Sequence, residues 1–264
     1  MLKSIPENIA HFVKDKPCTS DNIGASGSEV YIFDDMVLKI EDINDSIFAM
    51  ISVMERLEGR LPLPHIIHHS VGGGKSYLLM SRVKGVMACD EFYLEHRELM
   101  LPVLADALHQ LWSIDVRDCP RDRSLDTELK EARKRVEQGL VDIADCEPET
   151  FGEGGFKDPY ELLLWLESNK PKEQELCVSH GDLCLPNIFI DGDKLSGLID
   201  VGDMGIADKW RDISLLYRSL KHNFDGTYGG KVYKDFDPEC IFGILGVEKN
   251  EQKLKYYLLL DELF

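Results

Sequence analysis

Apolar positions along this chain change period partway through. In the first eighty residues they fall in short runs. Glu29–Phe33 (EVYIF) and Met36–Ile40 (MVLKI) read as two strands joined at Asp34-Asp35. His65–Val71 and Ser76–Ser81 read as a second pair around Gly72-Gly73-Gly74. That glycine run suggests a phosphate cradle at first sight, but no helical pattern follows it, so a hairpin turn is expected. Two helices interrupt the strands. One is a short amphipathic segment, Ser4–Val13; the other is Asp45–Leu57, where Ile47, Phe48, Ile51, Met54 and Leu57 recur at about 3.6 residues.

From about Leu94 the period becomes helical. Leu101, Leu104, Leu108, Leu111 and Trp112 mark one buried face, and Leu125–Val141 predicts another helix. A loop over Asp145–Gly155 and a helix over Pro159–Leu166 follow. Glu175–Ser179 (ELCVS) reads as a short apolar strand. Asn187–Ile190 and Lys194–Ile199 read as a hairpin closed by Asp191-Gly192-Asp193. Helices are expected near Trp210–Leu220 and over Asn250–Leu263. A small β-rich unit over residues 1–82 and a larger, mainly helical unit over 83–264 give an α+β, two-lobed chain.

Composition narrows the class. With 44% hydrophobic residues, 264 residues can bury a sizeable core. The formal charge of −18 argues against nucleic acid or an anionic membrane as partner and suits a polycation. The seven cysteines at 18, 89, 119, 146, 177, 184 and 240 are odd in number and form no C-x-x-C, so reduced thiols in a cytoplasmic protein are expected. The N-terminus lacks the apolar core of a signal peptide, and apolar runs are too short to span a membrane. His65, His68 and His69 do not share one face of a strand and read as structural or surface residues.

The chemistry concentrates in Ser179–Asp208. Asp182 and Asn187 are five apart, the spacing of the H-x-D-x-x-x-x-N loop of kinases, and Asp200 follows a hairpin where kinases carry a metal-binding Asp. Mg²⁺ prefers hard oxygen donors, which Asn187 and Asp200 supply. Asp182 is left to accept a hydrogen bond from an attacking hydroxyl, align it and take its proton.

The segment VSHGDLCLPNIFI…GLIDVGDMGIADKWRDIS resembles the aminoglycoside phosphotransferases, which have a protein-kinase-like fold. LEGRLPLP (Leu57–Pro64), SIDVRDCP (Ser113–Pro120), FKDP (Phe156–Pro159) and YYLLLDELF (Tyr256–Phe264) resemble the 3'-phosphotransferases acting on kanamycin and neomycin, especially the Gram-positive type. The resemblance covers nearly the whole chain. It implies Mg²⁺- and ATP-dependent phosphorylation of an aminoglycoside 3'-hydroxyl, a resistance activity, with GTP open as a second donor. It also implies roles by position. Ser26 and Gly27 lie in a phosphate-covering loop, and Lys39 reaches the α/β-phosphates. Met80, Ser81, Val83 and Ile199 line the adenine site, the middle two through backbone groups. Glu147, Asp261, Glu262 and the terminal carboxylate of Phe264 receive the ammonium groups; Glu149 and Glu153 lie in the same loop but match no position cleanly.

The chain departs from the family pattern in three places. Met50 stands where a helix Glu positions the strand Lys, Asp203 stands where D-x-G-R has Arg, and Val37 replaces an aromatic next to adenine. These departures keep two alternatives open: a kinase for another hydroxylated small molecule, and a kinase-like binding protein with weak or no turnover.

Overall fold

The computed structural model describes residues 5–21 and 28–264. The expected phosphate-covering loop, including Ser26 and Gly27, lies outside the described residues.

The N-terminal part is helix α1 (Glu7–Val13) and strands β1 (Thr19–Asp21), β2 (Glu29–Ile32) and β3 (Met36–Asp42), then helix α2 (Asp45–Leu57) and strands β4 (Ile66–Gly72) and β5 (Lys75–Ser81). The strands form one antiparallel sheet in the order β1-β2-β3-β5-β4. Side chains alternate along β3, so its two faces differ. Met36, Leu38 and Ile40 pack with Ile9 and Val13 of α1 in a small core, while Val37, Lys39 and Glu41 look the other way. The β4–β5 turn is a hairpin as expected, with Gly73 and Gly74 at φ +59° and +81°, a geometry glycine adopts without strain.

Helix α2 has its expected bounds, capped by Asn44 Oδ1, which accepts from the Ile47 N–H at 3.1 Å. Its buried face differs from the expected one. Met50 and Val53 join Ile47, Met54 and Leu57 inside, and Phe48 turns outward, edge-on to His69. The face is set by what α2 packs against, the large core rather than the local sheet alone.

The rest of the chain begins with β6 (Val86–Met87), α3 (Glu91–Glu95), α4 (Arg97–Ser113) and α5 (Leu125–Glu137). Leu104, Leu108 and Leu111 of α4 are fully buried, as their spacing predicts. Helix α5 stops short of the expected Val141, because Gly139 takes a left-handed φ of +66°. The expected loop Asp145–Gly155 contains one helical turn, α6 (Pro148–Phe151), started by Pro148. Then come α7 (Pro159–Ser168), β7 (Leu176–Ser179), the hairpin β8 (Ile188–Asp191) and β9 (Lys194–Leu198), β10 (Gly205–Asp208), α8 (Trp210–Asp225), α9 (Cys240–Leu245) and α10 (Glu251–Asp261). Strand β10 pairs antiparallel with β7, and β6 adds to the hairpin in the order β6-β8-β9. Helices α2, α4, α8 and α10 all contribute to the large core, α4 with the most residues. Among the described residues no helix is long and apolar enough to cross a membrane.

Candidate active site

The segment after β7 is held by a buried acid. Asp212, fully buried in the first turn of α8, accepts from Ser179 Oγ and from the backbone N–H groups of His180 and Gly181, each at 2.9 Å. The buried His180 ring completes the frame. Its Nε2–H donates to the Ile199 carbonyl at 2.9 Å and its Nδ1 accepts from the Asp182 N–H at 3.3 Å. The ring therefore ties the loop bearing Asp182 to the residue before Asp200. Gly181, at φ +87°, allows the loops to close up: a Cβ there would lie 2.8 Å from Asp203 Cβ.

Asp182 and Asn187 meet directly. Asn187 Nδ2 donates to Asp182 Oδ2 at 3.0 Å and to the Asp182 carbonyl at 2.9 Å. With its NH₂ committed, Asn187 keeps Oδ1 as a free acceptor. Burial, helped by the nearby carboxylates of Asp261 and Asp200, pushes Asp182 above the usual carboxylate range, which favours proton uptake. The Ile199 N–H donates to the Asn187 carbonyl at 3.0 Å, so Asn187 and Asp200 sit together at the open end of the β8–β9 hairpin. Asp200 takes a left-handed backbone (φ +54°, ψ +54°) and stays largely exposed. A non-glycine residue in that region is strained by about 1 kcal/mol, the kind of cost that clusters at functional sites. Asn187 Oδ1 and the Asp200 carboxylate are hard oxygen donors of the kind that could hold Mg²⁺.

Lys39 Nζ stands 3.6 Å from Asp200 Oδ1, so the sheet and the hairpin converge on one cleft. Met80 lies opposite Val37 in the β3–β5 register, on the cleft side of the sheet. Val83 packs over Gly197, where a Cβ would lie 2.6 Å from Val83 Cγ1; this brings the segment after β5 against the strand that leads to Ile199. The Ser81 N–H donates to the His65 carbonyl at 2.8 Å. Each of the three histidines has a protein partner: His65 with Glu58, His68 with Asn8 at 3.1 Å, and His69 with Ser76 at 3.0 Å.

A second cleft, of about 380 Å³, is lined by Glu147, Glu149, Arg218, Lys221, His222 and Glu262, with residues of α10 beneath. The acids come with partners. The Glu147 N–H donates to Glu262 Oε2 at 2.7 Å, and Glu147 Oε1 lies 2.8 Å from His222 Nε2. Arg218 pairs with both Asp261 and Glu262, and Arg211 lies 3.7 Å from Asp261. Asp261 and Phe264 do not line the cleft. Asp261 sits between the two arginines, and the Phe264 ring lies beneath the guanidinium groups of Arg123, Arg135 and Arg211. Arg135 donates through Nε to the Leu263 peptide carbonyl at 2.8 Å and through Nη2 to an oxygen of the Phe264 carboxyl end. Of the two unmatched acids, Glu149 lines the cleft and Glu153 does not.

The inverted charge at Asp203 is compensated. Arg123, almost fully buried, lies 3.1 Å from Asp203 Oδ1, and Arg121 lies 3.9 Å away. Arg121 also donates to the Gly202 carbonyl and, at 2.8 Å, to Ser46 Oγ in the first turn of α2, so it clips the helix to the Asp200–Asp203 turn. Arg121, Arg123, Asp212, Arg218 and His222 escaped the sequence reading. For α8 a signal was present: Arg211, Asp212, Arg218 and His222 interrupt the apolar face of that helix at helical spacing. For Arg121 and Arg123 no local pattern marks them.

Comparison with known proteins agrees with this fold. A model of the phosphotransferase enzyme family matches residues 18–237. An aminoglycoside 3'-phosphotransferase of Niallia circulans is 35% identical, the match covering 98% of this chain and 97% of that protein. One of Enterococcus faecalis is 37% identical over 94% of this chain and 93% of its own. Among solved structures, an aminoglycoside-3'-phosphotransferase of type VIII superposes with a TM-score of 0.77 at 31% identity, covering 94% of each chain. The α+β, kinase-like fold is thus the observed one. The chain belongs to the phosphotransferase enzyme family, among its aminoglycoside 3'-phosphotransferases.

Proposed function

We infer that the protein transfers the γ-phosphoryl group of ATP to the 3'-hydroxyl of an aminoglycoside and so confers resistance to it. The observation that carries this reading is the Asp182–Asn187 hydrogen bond, tied through the Ile199 N–H to the turn at Asp200, which itself lies 3.6 Å from Lys39, in a chain whose relatives are named for that activity. A structural neighbour of the same fold holds ADP and streptomycin together, which fits a cleft for each.

In this mechanism Asp182 Oδ1, the oxygen not taken by Asn187, accepts the hydrogen bond of the acceptor hydroxyl and aligns it. The acceptor oxygen bonds to the γ-phosphorus, the bond from that phosphorus to the ADP oxygen breaks, and the proton passes to Asp182. Lys39 holds the α/β-phosphates. Asn187 and Asp200 are the residues that would hold Mg²⁺, which when bound neutralises phosphate charge. Met80, Val83 and Ile199 are assigned to the adenine pocket, with Ser81 and Val83 reading the base through the backbone. Glu147 and Glu262, with Asp261 and the Phe264 carboxylate behind them, attract the cationic acceptor, and the net charge of −18 supports its approach. Residues 1–82 form the nucleotide lobe in this reading and 83–264 the acceptor lobe. Seven free thiols favour a reducing compartment, the cytoplasm.

A panel of aminoglycosides with ATP and with GTP tests the reading. Phosphorylation of kanamycin and none of tobramycin, which lacks the 3'-hydroxyl, is expected. Equal turnover of both would overturn the regiochemistry, and turnover of neither the substrate class.

A further inference from the structure

Met50 cannot position Lys39: it is apolar and buried in the large core. The strand that bears Lys39 offers another acid. Side chains two apart on a strand share a face, and Glu41 Oε2 lies 3.8 Å from Lys39 Nζ. Both side chains are poorly exposed, 18% for Lys39 and 17% for Glu41, whereas Asp200 is 57% exposed. The second oxygen of Glu41, Oε1, is buried and receives no hydrogen bond among the described residues. A carboxylate held that far from water is costly unless a cation stands beside it. Lys39 is the cation within 4 Å among the described residues.

Lys39 thus stands between two acids. Asp200, at 3.6 Å, is the assigned metal ligand, and its carboxylate is needed elsewhere during the reaction. An ammonium group resting on Asp200 alone would compete with that role. We propose that Glu41 is the positioning residue for Lys39, acting from the same strand. The proposal rests on the reading of Lys39 as the phosphate-binding lysine. It accounts for how a chain with Met50 keeps an intact Asp182, Asn187 and Asp200 set: the lysine's partner has moved, not vanished.

The test is a double-mutant cycle with Glu41→Gln and Lys39→Met, in steady state and single turnover, varying ATP and kanamycin separately. Glu41→Gln keeps the shape of the side chain, and circular dichroism and thermal unfolding check that each variant is folded. In the Lys39 background kcat/KM for ATP is expected to fall about tenfold, with the KM for kanamycin unchanged. In the Lys39→Met background the same change is expected to have no effect, because the group it positions is gone. An active wild type whose kcat/KM for ATP is insensitive to Glu41→Gln overturns the proposal, as does an equal loss in both backgrounds. A folded wild type that phosphorylates nothing overturns the functional reading instead, so the two failures are distinguishable.

Discussion

Removing Asp212 should loosen the catalytic segment from beneath, although Asp212 is assigned no contact with either substrate. Its carboxylate takes three hydrogen bonds, from Ser179 Oγ, the His180 N–H and the Gly181 N–H, all at 2.9 Å and all buried. A hydrogen bond to a charged partner contributes about 1.5–3 kcal/mol, and a buried donor left without an acceptor costs a similar amount. Because the three bonds share one carboxylate they are not additive, so Asp212→Ala should cost roughly 4 kcal/mol. Asp212→Asn is gentler. Its NH₂ faces either the His180 N–H or the Ser179–Gly181 pair, and roughly 2 kcal/mol is expected. Urea unfolding with the m-value compared between variants gives the stability, and kcat with saturating substrates gives the effect on chemistry. Both variants should lose kcat by more than they lose affinity for either substrate, since the position of Asp182 is what shifts. Asp212→Ala within about 0.5 kcal/mol of wild type, with unchanged kcat, would refute the view that this carboxylate holds the loop.

Two further outcomes follow from the site. Asp203→Arg, which installs the residue usual in the family, should lower stability by roughly 2 kcal/mol, because it removes one acid from a cluster in which Arg123 keeps Glu128 and Glu131, takes the acid beside Arg121, and adds a third like charge; an unchanged or raised Tm contradicts the compensated network. Brief alkylation should label exposed Cys18 before Cys184, since burial pushes the Cys184 thiol up and withholds its thiolate, and mass spectrometry with an activity assay should find Cys18 labelled and turnover intact; rapid labelling of Cys184 would contradict the packing of the catalytic loop.

The fold was legible where period and turn chemistry agreed. Helix α2 lies where the pattern placed it, and the Gly73-Gly74 and β8–β9 hairpins close as their turn residues require. Bounds slipped where a single backbone choice decides them, as at Gly139, or where a tertiary neighbour sets the face, as for Phe48. At the site, the spacing of Asp182, Asn187 and Asp200 anticipated that they come together, because those residues lie within one hairpin of each other and local sequence records local geometry. The arginines that neutralise Asp203 were invisible, since Arg123 and Asp203 are eighty residues apart and meet only through the fold. Asp203 looked like a defect for that reason. Met50 did too, and the acid beside Lys39, Glu41, is on the strand and not on the helix. Likewise the acids of the C-terminal tail read as open anions in the sequence, whereas Asp261 and Glu262 are already shared with Arg218.

The most direct measurement is turnover of kanamycin with ATP by Asp182→Asn, beside calorimetric binding of each substrate. The replacement keeps the side chain's shape and an oxygen for the Asn187 N–H, and at the Oδ1 position it exchanges the charged acceptor that aligns the hydroxyl and takes its proton for an NH₂ that can do neither. Loss of kcat by at least about 10²-fold, with both substrates still bound, is the predicted result. A kcat within a few-fold of wild type would contradict the assignment of Asp182, and with it the mechanism built on this cleft.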